Sequence, residues 1–181
     1  MRTVVVGGSA RNVGKTSLIC GLISATPECP WTVVKITSHD HGKTAPIWEE
    51  TQAGQGTDTS RYLAAGARRA LFVTAPDGNI PIADLRATLG DDRWLIFETN
   101  RIQSLHKSDV VLALIGPEET ESKPSFAAVS QQADAFVCTS RSARSLEADP
   151  RPTFVLPDLK DISPELIQWT RARLGLSVPA R

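Results

Sequence analysis

Short apolar runs alternate with amphipathic stretches along the whole of this chain. Runs rich in β-branched residues predict strands at about 3–7, 31–36, 69–74, 93–98, 109–115, 134–138 and 152–156. Apolar positions recurring at helical spacing between them predict helices at about 14–25, 58–66, 81–89, 124–132 and 163–174. The strands are apolar at nearly every position, as strands buried on both faces must be. The fold class expected is therefore α/β, with three layers and a mostly parallel sheet of about seven strands covered by helices on both faces. Helix punctuation agrees. Thr57 or Asp58 can cap the second helix and Gly66 lies near its end, while Ser163-Pro164-Glu165 supplies a cap followed by proline for the last helix.

One segment breaks the short-loop pattern. Residues 37–56 lie between a strand and a helix with three glycines and no strong periodicity. Loops of that length inside compact domains are commonly lids or switches. This one leaves the carboxyl end of the second strand, the side on which open parallel sheets bind ligands, so a switch or lid over a ligand is expected. Ile47 and Trp48 within it could pack onto the domain or onto a partner subunit.

The strongest chemical signal is at the first strand. Val4-Val5-Val6 runs into Gly7-Gly8-Ser9-Ala10-Arg11-Asn12-Val13-Gly14-Lys15-Thr16-Ser17, and Leu18, Ile19, Leu22 and Ile23 then open a helical pattern. Strand, Gly-rich loop, Gly-Lys-Thr and helix together form the P-loop arrangement, in which consecutive N–H groups and the positive end of a helix dipole meet phosphate. The usual spacing would put glycine at position 9. Here that position is Ser9, and the first glycine is Gly8, one residue earlier. The candidate nucleotide-contacting residues are Gly8, Ser9, Arg11, Asn12, Val13, Gly14, Lys15, Thr16 and Ser17. Lys15 would reach the β/γ oxygens of ATP or GTP, and Thr16 would offer its hydroxyl to Mg²⁺. The expectation is a P-loop NTPase fold in which residues 1–181 form a single nucleotide-binding domain.

Magnesium bridging phosphates needs oxygen ligands beyond one hydroxyl. Glu98 ends the run Trp94-Leu95-Ile96-Phe97, which is the setting of a Walker B acid; the alternative is a carboxylate facing solvent. Asp40 opens the long loop and could ligate the metal or orient the attacking group, or simply form a turn. The candidate catalytic residues are Lys15, Asp40 and Glu98, and the candidate metal ligands are Thr16, Asp40 and Glu98. His39 and His41 flank Asp40 without a third ligand at useful spacing, so a transition-metal site is not expected. Lys35, at a strand end, could touch phosphate or face solvent. No guanine-reading Asn-Lys-x-Asp element occurs, and Arg141 in the loop after the sixth strand could stack on a purine or lie on the surface. The base is left open.

Composition narrows the partners. The chain of 181 residues carries 20 Lys+Arg against 20 Asp+Glu, so no overall field draws it to nucleic acid or anionic lipid. Neither a signal-peptide pattern nor an apolar run of spanning length is present. Cys20, Cys29 and Cys138 are odd in number and lack a C-x-x-C pair, as reduced thiols of a cytoplasmic protein would be.

Several segments together resemble the MobB family, GTP-binding accessory proteins of molybdopterin guanine dinucleotide biosynthesis. Lys35-Ile36-Thr37-Ser38-His39-Asp40 resembles that family's segment after the second strand. Gly56-Thr57-Asp58-Thr59-Ser60-Arg61 through Ala65-Gly66-Ala67 resembles its G-K-D-S-x-R…A-G-A helix, and Glu98 falls at the acid of its E-G-F segment. Two features depart. The longer phosphate loop is similar to that of dethiobiotin synthetase, and Thr99-Asn100 follows Glu98 where the family has Gly-Phe. The resemblance implies Mg²⁺-dependent NTP binding, slow hydrolysis, a cofactor-assembly enzyme as partner and a homodimer. Two alternatives stand beside it: an ATP-dependent small-molecule kinase or ligase of the dethiobiotin-synthetase type, and a non-catalytic nucleotide-dependent scaffold.

Overall fold

The computed structural model describes residues 1–38, 45–54, 56–76, 78–101, 108–116, 123–138, 148–156 and 161–177. Among these, eight strands and five helices form. In chain order they are β1 (Arg2–Gly8), α1 (Lys15–Ala25), β2 (Thr32–Thr37), β3 (Ile47–Glu50), α2 (Asp58–Ala64), β4 (Arg69–Thr74), α3 (Ile82–Leu89), β5 (Trp94–Glu98), β6 (Val110–Ile115), α4 (Phe126–Gln132), β7 (Ala135–Cys138), β8 (Thr153–Val155) and α5 (Pro164–Leu174).

The strands lie in one sheet in the order β3-β4-β2-β5-β1-β6-β7-β8. Every neighbouring pair is parallel except β3 with β4. Period-two alternation divides the core. Val4 and Val6 of β1, Val33 of β2 and Ile96 of β5 join Leu18, Ile19, Leu22, Tyr62 and Leu166 on one face. Val5, Val34, Leu95 and Phe97 join Leu85, Leu89, Phe126 and Val129 on the other. By the same alternation Lys35 and Glu98, each two positions beyond a residue of the first group, point to the α1–α2 side. They are register partners on adjacent strands, Glu98 at the end of β5 and Lys35 two residues before the end of β2.

The sequence predicts seven strands and the described residues form eight. Ile47–Glu50, inside the supposed long loop, pairs antiparallel with β4 at the sheet edge. Its two apolar residues are adjacent and its two glutamates follow, so no alternation marks it. Tertiary contacts fix it instead. Arg69 of β4 grips Glu49 through two hydrogen bonds of 2.8 and 2.7 Å, and Ile47 packs against the core. Thr57, not Asp58, caps α2, in a reciprocal capping box with Ser60. Ser163 caps α5 and Pro164 opens it as expected, and a left-handed Gly175 closes it. Cys29 and Cys138 are buried and Cys20 is partly so, all as free thiols. No described helix is long and apolar enough to cross a membrane.

Candidate functional site

Between β1 and α1 the chain makes the loop expected of the motif. Gly14 caps α1 at φ 97°, and Asn12 has φ 57°, so two residues in the left-handed region turn the backbone tightly before Lys15. The early position of the first glycine has a packing reason. A Cβ on Gly8 would lie 2.7 Å from Cγ2 of Val13, and one on Gly116 would lie 3.0 Å from Cγ1 of the same side chain. Val13 is buried between the two glycines and pins the loop from beneath. Ser9 is buried as well. Its N–H donates to the Leu114 carbonyl at 2.9 Å, and its hydroxyl accepts from the Gly116 N–H at 2.8 Å. Gly8, Ser9 and Val13 thus anchor the loop, while Arg11, Asn12, Gly14, Lys15, Thr16 and Ser17 line an open cleft of about 1060 Å³.

Lys15 folds back over the loop, its Nζ 3.3 Å from the Ala10 carbonyl. Burial, only partly countered by the charge of Glu98, lowers its pKa. An ammonium poor in counter-charge at the floor of a cleft is suited to an anion.

Glu98 is 5% exposed and fully engaged. Its Oε2 accepts from Thr16 Oγ1 at 3.1 Å and from the hydroxyl of the fully buried Tyr62. Its Oε1 accepts from Lys35 Nζ at 3.1 Å, and Lys35 also donates to Asp58 Oδ2. Burial alone would lower the Lys35 pKa, but Glu98 and then Asp58 raise it. For Asp58, burial opposes ionisation, yet the bond and charge of Lys35 hold its pKa below the usual value. Burial, followed by the charge of Glu98, pushes Tyr62 well up, so it remains a hydrogen-bond donor. Asp58 and Tyr62 are spaced i, i+4, which puts both on one face of α2. Arg61 sits 3.6 Å from Asp58 and donates to Ser17 Oγ at 3.3 Å, tying α2 to α1.

Asn100 extends the sheet with a side chain. Its Oδ1 accepts from the Gly8 N–H at 2.8 Å and its Nδ2 donates to the Gly8 carbonyl at 2.9 Å. The carboxamide thereby continues the ladder of β5 and β1, just past the Thr99 N–H to Val6 carbonyl bond. Asn100, at the position where the family has phenylalanine, clamps the start of the loop.

The structure brings Lys15, Thr16 and Glu98 together at the carboxyl ends of the central strands. Asp40, His39, His41 and Arg141 lie outside the described residues. Asp58, Tyr62 and Asn100 join the site although the sequence reading gave them no chemical role; only the spacing of Asp58 and Tyr62 hints at a shared face. Among the described residues no group of three or more His, Cys, Asp and Glu gathers into a closed metal centre. The donors present are one hydroxyl and two carboxylates, all hard oxygens. That open set suits Mg²⁺, which takes one or two carboxylates and completes its shell with water and phosphate.

No protein-family model matches the chain, and no curated protein does. Solved structures share its fold. A MobB protein homolog from Bacillus stearothermophilus matches 95% of this chain over 99% of its own length, at TM-score 0.52 and 20% identity. The "apo" form of LpxK from Aquifex aeolicus, solved in complex with ATP, matches 84% of this chain at TM-score 0.55 and 17% identity. The chain spans about half, 53%, of that protein. Likeness at this level of identity is a likeness of fold: the three-layer α/β arrangement of P-loop proteins.

Proposed function

We propose that this chain binds a nucleoside triphosphate, ATP or GTP, with Mg²⁺, hydrolyses it slowly, and acts as a MobB-like cytoplasmic accessory protein in molybdenum cofactor assembly. On this reading residues 1–181 act as one nucleotide-binding unit. The observation that carries it is the junction of β1 and α1, where the Lys15 ammonium and the Thr16 hydroxyl flank a loop of turned backbone, with Glu98 directly behind Thr16.

The residues would divide the work as follows. The loop N–H groups from Arg11 to Thr16 and the start of α1 receive the phosphates. Lys15 supplies positive charge at the β/γ oxygens, and burial makes that charge act in a medium of low dielectric. Thr16 and Glu98, with Asp58, would hold Mg²⁺, which neutralises phosphate charge when bound. Asp40 is retained as the candidate for a further metal contact or for orienting water. No arginine finger is assigned to the site, so intrinsic turnover on the order of 10⁻³ s⁻¹ is expected.

The size of the cleft favours a second reading. It extends from the phosphate loop to Trp48 and Phe72 at the sheet edge, leaving space beside a nucleotide for an acceptor. That fits an ATP-dependent kinase or ligase acting on a small molecule. Turnover that rises sharply with one metabolite would select this reading, and indifference to metabolites the accessory role. A scaffold would bind nucleotide without releasing phosphate.

The test of nucleotide binding is thermal. At 100 times Kd a ligand stabilises by about 2.7 kcal/mol, which for a chain of this size is roughly 5–10 °C. Mg²⁺–ATP or Mg²⁺–GTP should raise the wild-type melting temperature by that order, and Lys15→Ala should abolish the rise. A wild-type protein indifferent to both nucleotides sinks the proposal.

A further inference from the structure

The two carboxylates suited to a divalent cation already hold a cation of the protein's own. Lys35 Nζ bridges Asp58 and Glu98, and the other Glu98 oxygen takes the Thr16 hydroxyl at 3.1 Å. The lysine is positioned for this by the fold. It lies on β2, two residues before the strand ends, in register with Glu98 on β5, and only 18% of its side chain is exposed. Removing it would strip buried Glu98 of its salt bridge and leave Asp58 with Arg61, 3.6 Å away. Unpaired buried carboxylates are strongly destabilising, so the ammonium is needed while no other cation is present.

We propose that Lys35 is an internal counter-cation that occupies the Mg²⁺ seat in the nucleotide-free protein, so that divalent-cation uptake is coupled to nucleotide binding. The inference rests on the nucleotide-binding reading above and deepens it. A divalent ion entering alone must share two carboxylates with an ammonium or expel it into the cleft that it lines. Either route is opposed by like charge or by loss of an ion pair. A triphosphate changes the balance, because it brings oxygen ligands for the ion and negative charge for the displaced ammonium. The coupling is reciprocal: the factor by which nucleotide tightens the cation is the factor by which the cation tightens nucleotide.

The experiment is a Mn²⁺ titration of the nucleotide-free protein, following the free-ion signal by electron paramagnetic resonance. Lys35→Met should bind Mn²⁺ at least about ten-fold more tightly than wild type, a change of about 1.4 kcal/mol. Lys35→Arg should stay at the wild-type value, and so should Lys123→Met, which removes a charge from the same cleft without touching the carboxylates. A non-hydrolysable triphosphate should tighten Mn²⁺ in wild type by more than in Lys35→Met. If Lys35→Met fails to fold, Lys35→Gln, which keeps a donor beside Glu98 without the charge, gives the same reading. Equal Mn²⁺ affinity of wild type and the neutral variant overturns the inference. So does an equal gain in Lys123→Met, which would mark a general charge effect, or a wild-type affinity unmoved by triphosphate. The thermal shift separates the two failures. A normal nucleotide shift with unchanged Mn²⁺ affinity in Lys35→Met defeats only this inference, whereas absence of the shift in wild type defeats the function.

Discussion

One strand, β5, has a buried carboxylate at each end, and the two are held differently. Asp92, just before the strand, is 7% exposed. It accepts from Thr32 Oγ1 at 2.8 Å and from Arg69 at 2.8 Å, and it pairs with Arg68. Glu98, at the other end, is 5% exposed and holds a lysine, a threonine and a tyrosine. Guanidinium groups bind carboxylate through a rigid fork, and Arg69 fastens β3 as well, through Glu49. That end is a lock. Lysine and hydroxyl partners make single bonds from rotatable groups, and these can be exchanged. They also lie at the carboxyl ends of parallel strands, where ligands enter. On the proposed function, similar burial of the same chemical group serves stability at one end and cation binding at the other, and the partners differ accordingly.

The largest effect that would break this contrast is at the lock. Asp92→Ala takes the acceptor from the buried Thr32 hydroxyl and one partner from Arg69 and Arg68, and should destabilise by about 2–3 kcal/mol in urea unfolding. The protein that remains folded should still show its full nucleotide shift. Loss of nucleotide binding in folded Asp92→Ala would mean that the two ends do not divide as described.

At the other end, Glu98→Gln should cost less, about 1.5 kcal/mol, because Lys35 keeps Asp58 and a carboxamide oxygen still accepts from Tyr62. Its functional effect should be larger than its structural one. The Mg²⁺ dependence of nucleotide binding, read by comparing thermal shifts with and without the ion, should largely vanish. An unchanged Mg²⁺ dependence would remove Glu98 from the cation seat.

The smallest effect sharpens the contrast through pH. The Asp58 pKa lies below its ordinary 3.8, so its contribution is present above that value and fades as pH falls through the lowered pKa. The Lys35 pKa lies above its ordinary 10.5, so its contribution is complete below that value and is lost as pH rises through the raised pKa. Lys15 has the opposite sign. Its lowered pKa weakens the fold while the group is charged, and that penalty fades towards pH 10.5. Asp58→Asn should therefore lower the melting temperature across the neutral region and flatten its fall below about pH 4, the gap to wild type narrowing in acid. A variant whose acid limb matches wild type would show that Asp58 is not held by Lys35.

Much of this was legible in sequence, for reasons that can be named. Val4-Val5-Val6 and Trp94 to Phe97 are apolar at every position because both faces of their strands are covered, and Gly14-Lys15-Thr16 is a local signature read without tertiary knowledge. Ile47–Glu50 was illegible because its strand character comes from β4 and the Arg69–Glu49 clasp, not from its own pattern. Lys35 and Glu98 are 63 residues apart, and only the β2–β5 register makes them partners. Asp58 looks like a capping residue in sequence, and it does adjoin the true cap, Thr57. That it also meets Lys35 beside Glu98 depends on how α2 packs against α1. Asn100 reads as a departure from a family pattern, although its carboxamide has the hydrogen-bonding shape of a peptide and clamps Gly8.

The most direct measurement is a calorimetric titration of ATP and of GTP into the wild-type chain, with and without Mg²⁺. Saturable heat from at least one nucleotide, strengthened by Mg²⁺, is the expected result. Absence of heat from both nucleotides in the presence of Mg²⁺ would contradict the account.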